Sequence, residues 1–201
     1  MLSHNKFRQA TLKSAHLLKA LYGNMNTEQI QKIEHSMMYL ASFSRSYSLF
    51  NAIYGKLDEL DYGTGNLFPF KTICNALLSD SAVSWCKVFG SNAEETHWKT
   101  IIPEHDEFRD CLLDNLNIER EHFTQYWKEM KTFRDNVVAH FNAEHFSAGS
   151  TPLFDIAELS SAFTHKYMRQ LLPCNVDYSG PLCLIQYGRS TANAALSRLF
   201  V

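Results

Sequence analysis

Apolar residues recur every three or four positions through nearly every long segment of this chain, and strand-like alternation dominates nowhere. That pattern predicts an all-α fold. Residues 5–22 form a first candidate helix, with Phe7, Leu12, Leu17, Leu18 and Leu21 as apolar positions and a break at Gly23. Asn26 or Thr27 can cap a second, long helix reaching into the fifties, carried by Ile30, Ile33, Met37, Leu40, Phe43 or Ser44, Tyr47 and Phe50 or Ile53. "LFPFKTICNALLSDSAVSWCKVF" is a third, stopped by Gly90. Ser91 and Glu94 have capping-box spacing for a short helix through Trp98, and Pro103 opens an acidic helix. Asn117 can cap "IEREHFTQYWKEMKTFRDNVVAHF", and Thr151–Pro152 can start a helix that stops at Pro173. The remainder reads as irregular or weakly extended, with a short final helix at 191–200. The expected architecture is a single domain, 1–201, built as an up-and-down bundle of four to five long helices with short extras.

Composition supports a packed globular chain. Of its 201 residues 45% are hydrophobic and 20% charged, enough for a real core. A formal net charge of -2 gives nucleic-acid binding no general support, although a local basic patch is compatible with it. The five cysteines, at 74, 86, 111, 174 and 183, form no C-x-x-C pair and read as reduced core thiols. Charges interrupt every apolar run near the N-terminus, and no run approaches a membrane span. The expected location is therefore the cytoplasm, without membrane contact.

Several motifs can be set aside. The Gly-rich "DYGTGN" at 61–66 lacks the G-K-[ST] of a phosphate loop and reads as a turn. His140, Glu144 and His145 are spaced one residue too far for a zinc-binding H-x-x-E-H, so no metal or other cofactor is expected. "HDE" at 105–107 with Asp110 reads as a solvated acidic turn. His35, Arg45 and Tyr47 receive no functional role. No serine-hydrolase elbow or Cys–His signature occurs.

One stretch needs an explanation. In "FRDNVVAH", residues 133–140, Arg134 falls within roughly 40° of Phe123, Trp127, Met130, Val138 and Phe141 on a helical wheel. A guanidinium on an apolar stripe is costly unless paired. It can snorkel at the bundle's end or pair with a carboxylate such as Asp135. It can meet its match across a dimer surface. Or it can bind an anion, most simply a phosphate, through its planar fork. His140 sharpens the third option, because an imidazole can move protons near neutral pH while the arginine stabilises charge on phosphoryl oxygens. In an ideal helix the two are about 120° apart and roughly 9 Å apart along the axis. A shared site therefore needs a bent helix end or a second subunit. Asn136 and His140, four apart, share a face.

The run "RDNVVAH" resembles the signature of HEPN domains, in particular those of the abortive-infection type: an Arg, a polar residue and, a few positions on, a His. "ALLSDSAVSWCKVFG" at 76–90 fits the same family more weakly. The resemblance covers roughly residues 27 to 172, leaving 173–201 as a C-terminal extension. It implies a helical bundle, commonly a homodimer with the motif near the interface. It also implies a metal-independent endoribonuclease of toxin or defence type, acting on RNA and in some cases restrained by an antitoxin protein. By that resemblance Arg134 stabilises the phosphate, Asp135 orients Arg or His, and His140 is the general acid/base, with Asn136 beside Arg134 at the substrate. Other members are non-catalytic binding or scaffold modules for RNA, nucleotide or protein. The modifiable tyrosine two residues past the histidine in some HEPN toxins is Asn142 here, so that mode of regulation is not expected.

Overall fold

A computed structural model of the protein describes residues 25–57, 67–139 and 151–199. The expected helix over 5–22, the glycine-rich loop, His140 and the Glu144–His145 pair lie outside them. Among the described residues there are seven α-helices and no strand. They are α1 (Thr27–Tyr54), α2 (Phe68–Phe89), α3 (Trp98–Ile101), α4 (His105–Leu116), α5 (Arg120–Phe133), α6 (Asp155–Leu171) and α7 (Leu184–Leu199). A π-helical segment, Arg134–Ala139, continues α5. No described helix is long and apolar enough to cross a membrane.

Helix α1 is the hub. Asn26 caps it in a reciprocal box with Gln29. Near its start Ser36 donates to the Thr96 carbonyl (2.8 Å), and midway Ser46 donates to Asp80 (2.6 Å). At its far end Ile53 and Leu57 pack with Cys74 and Phe70. The order of these contacts makes α1 and α2 antiparallel. Helix α7 runs the other way. Ser44 donates to the Leu184 carbonyl (2.7 Å), Arg45 to the Tyr187 hydroxyl (2.9 Å), and Leu196 reaches the Ile53 cluster. Helix α6 starts at Phe154, whose ring stacks on Phe43 and Tyr47 of α1, and later meets Phe108 of α4 through Phe163 and Tyr167.

The α1–α7 crossing depends on small residues. A Cβ added to Gly188 would collide with the Ser44 and Ser48 hydroxyls and lie 2.5 Å from the Ser44 carbonyl oxygen. Helix propensity alone predicts that Gly188→Ala stabilises by up to about 1 kcal/mol. Forcing a methyl against a neighbouring backbone costs roughly 1–3 kcal/mol. The expected result is net destabilisation in urea unfolding. A stabilised variant would mean that α7 does not approach α1 this closely.

Four local expectations need correction. Asn117 does not start α5; it ends α4 in the left-handed conformation (φ 53°), which asparagine tolerates, and Glu119 precedes α5 instead. Ser91 and Glu94 form no capping box, because Lys87 takes both Glu94 carboxylate oxygens at 3.1 Å. Thr151–Pro152 does not open α6. The stacked Phe154 ring and the Asp155 carboxylate, which accepts from Tyr47 at 3.3 Å, set the start three residues later. The last helix begins at Leu184, not 191, because Leu184 and Tyr187 dock on α1 despite the low helix propensity of Gly188. The five cysteines are unpaired, but only Cys74 and Cys86 are buried core thiols as expected; Cys111 is half-buried, and Cys174 and Cys183 are exposed.

Candidate functional site

The α5 helix buries Tyr126, Met130 and Phe133, while Phe123 and Trp127 are partly buried beside them. The buried centre thus includes two residues that the apolar stripe left out, and Arg134 lies roughly 70° from it rather than on it. Phe133 anchors the end of the helix with its ring edge on Phe154, 6.2 Å between centroids. Immediately after this anchor the backbone leaves α geometry. The segment from Arg134 to Ala139 is π-helical, so the motif starts where the helix widens.

The guanidinium of Arg134 has a defined seat. Its Nε and Nη2 both donate to Asp135 Oδ1, at 2.7 and 2.6 Å. The arginine side chain is 23% exposed and the aspartate 50%, so the pair sits at the rim of the core. On the other side, Nη1 faces the C-terminus of α2. A Cβ on Gly90 would come within 3.1 Å of it. Cations are favoured at a helix C-terminus, where unpaired carbonyls carry the negative end of the helix dipole. Trp127 supports the same place by donating its indole N–H to the Phe89 carbonyl at 2.6 Å. The Cys86 thiol beneath is pushed up to about 11 by burial, against the opposing pull of Arg134. It is a packing group and not a nucleophile.

Arg134 and Asp135 are therefore paired with each other. Asn136 is turned back on its own helix, donating to the Thr132 carbonyl at 3.1 Å. Among the described residues no group of three or more His, Cys, Asp or Glu side chains could hold a metal ion. Sequence reasoning missed the α2 terminus as the arginine's seat. Gly90 was legible as a helix stop, but its closeness to a residue 44 positions later was not. It also passed over Lys131, whose ammonium lies over the Trp127 ring, 4.5 Å from the centroid. The spacing of those two residues, four apart on one helix, was the available signal. No family model, no curated protein and no solved structure matches the chain.

Proposed function

We propose that this chain is a HEPN-type endoribonuclease, metal-independent, that cleaves RNA by attack of a 2′-hydroxyl on the adjacent phosphorus. The observation that carries the reading is the change from α to π geometry at Arg134, the first residue of the R-D-x-x-x-A-H run. Such irregular turns concentrate at functional sites. The all-helical bundle agrees with the family that the run resembles.

In this reading His140 takes the proton of the 2′-hydroxyl as the 2′-oxygen bonds to phosphorus. The bond from phosphorus to the 5′-oxygen breaks, and that oxygen receives a proton from an imidazole, leaving a cyclic phosphate. Arg134 stabilises the charge gathering on the phosphoryl oxygens, and Asp135 holds the guanidinium in orientation. A second copy of the chain supplies the second histidine at a shared interface. A toxin or defence role, with a protein antitoxin as partner, belongs to the same reading.

A second reading has its own support. Arg134 already makes two contacts to Asp135 and lies beside the α2 terminus, as a purely structural arginine would. That favours a non-catalytic module binding RNA, nucleotide or protein. RNA incubated with the purified protein in EDTA separates the two. Cleavage leaving cyclic-phosphate ends is expected, reduced at least ~100-fold in a folded His140→Ala variant, the typical worth of a general acid/base. RNA left intact by wild type under all conditions overturns the ribonuclease and leaves the binding module.

A further inference from the structure

Three cations of α5 and its continuation, Lys128, Lys131 and Arg134, are spaced three residues apart. On a helix that spacing makes one oblique ridge, advancing ~4.5 Å along the axis at each step. Trp127 lies beside it, partly exposed, with the Lys131 ammonium over its ring. Lys128 is exposed and Lys131 partly exposed.

The two lysines of the ridge have no acidic partner of their own. Helical neighbours lie three and four residues away. For Lys128 those are Thr124, Gln125, Lys131 and Thr132, none of them acidic. For Lys131 they are Trp127, Lys128, Arg134 and Asp135, and the Asp135 carboxylate is held by Arg134. Glu94 is paired with Lys87, and Glu129 accepts from the Gln125 amide at 2.9 Å without pairing to Lys128. Among the described residues neither Lys128 nor Lys131 has a carboxylate within ion-pair distance. On a chain of net charge -2, two neighbouring lysines without acidic partners, beside a partly exposed indole and next to the Asp135-paired Arg134, are a local departure from the overall balance.

We infer that the Lys128–Lys131–Arg134 ridge is a docking track for the sugar-phosphate backbone of single-stranded RNA, leading one strand to the Arg134 end, with Trp127 as the flanking base-stacking surface. The inference rests on the ribonuclease reading for its choice of polymer and deepens it by placing the substrate's path. Phosphate contacts of this kind position a strand without reading its sequence, and an aromatic flank adds stacking that every base can use.

The test uses a short fluorescein-labelled 2′-O-methyl RNA, which has no free 2′-hydroxyl and so reports binding without cleavage. Anisotropy titrations at several salt concentrations compare wild type with a Lys128→Gln/Lys131→Gln variant. The expected result is a Kd raised about tenfold and a log–log salt slope shallower by about 1.4, the loss of two single-strand phosphate contacts. A Lys71→Gln/Lys166→Gln variant, with the same change in charge on other exposed positions, is expected to bind like wild type. Wild type that binds nothing overturns the track, as does an unchanged Kd and slope in the ridge variant or an equal loss in the control. Salt-dependent binding lost only in the ridge variant, beside intact RNA in the cleavage assay, supports the track and sinks the nuclease.

Discussion

Replacing Trp85 by alanine is expected to cost the fold about 3–5 kcal/mol, the usual range for deleting a fully buried large aromatic. Trp85 is 0% exposed and sits where three helices meet. Its ring stacks on Phe89 of α2 (4.8 Å, 17° between planes), and the Tyr126 ring of α5 meets it edge-on (5.8 Å, 81°). Its indole N–H donates to Ser160 Oγ of α6 at 3.1 Å. The substitution removes apolar area, opens a cavity between helices tied to α1 on two sides, and deletes a buried hydrogen bond. Guanidinium unfolding followed by far-ultraviolet circular dichroism reads the loss as a lower midpoint at unchanged slope. Trp85→Phe separates the contributions. It keeps most of the stack, and the Ser160 hydroxyl still donates to the Ala157 carbonyl at 3.1 Å, so about 1 kcal/mol is expected for the missing N–H. A loss below 1 kcal/mol in the alanine variant would mean that α2, α5 and α6 do not converge on this side chain.

How far a sequence of this kind can be read depends on the range of the forces involved. The positions of α1 and α2 were legible because their signals are local: the Asn26 cap, the long periodic runs, and Gly90 at the end of α2. The starts of α5, α6 and α7 were not, because partners more than a hundred residues away in sequence fix two of them. Phe154 and Leu184 draw those two starts onto α1, and neither leaves a capping signature. Asn117 failed for a related reason. Its side chain suits an N-cap and its backbone suits a left-handed C-cap, and the sequence does not say which use prevails. In the candidate site the Arg134–Asp135 pair was legible as adjacent opposite charges. The seat at the α2 terminus was not, since it arises only when α5 is laid across the end of α2, and no local signal marked the switch to π geometry.

Acidification should unfold the protein through two histidines that its motif does not use. His97 is 2% exposed and His165 1%, and both are held neutral, with pKa values lowered to about 4. Burial is the main cause in each case. For His97 the nearby Lys99 and His105 charges act the same way, against a favourable contact to the Phe89 backbone; for His165 the neighbour is Arg169. The geometry agrees. His97 Nδ1 accepts the Lys99 backbone N–H at 3.2 Å, a bond that a proton on Nδ1 would abolish, and His165 Nε2 lies 2.8 Å from the Tyr178 hydroxyl. Below the unfolded value near 6.5 the unfolded chain takes up protons that the native chain refuses, so stability falls as pH drops from about 6.5 to about 4. Each histidine contributes up to about 1.4 kcal/mol per pH unit in the middle of that window and about half as much at its edges, so at most about 3 kcal/mol per unit for the two together. Glu158, whose pKa is raised mainly by burial, works in the opposite direction, so the wild-type profile alone mixes the signs. The difference between wild type and His165→Gln isolates one group. Urea unfolding at pH 7, 6 and 5 should show the variant losing less stability than wild type on acidification, by about 0.7 kcal/mol from pH 7 to 6 and about 1.2 kcal/mol from pH 6 to 5. A variant that is weaker at pH 7 but follows the same slope would show that His165 titrates as freely in the native chain as in the unfolded one, and the buried-histidine account would fail.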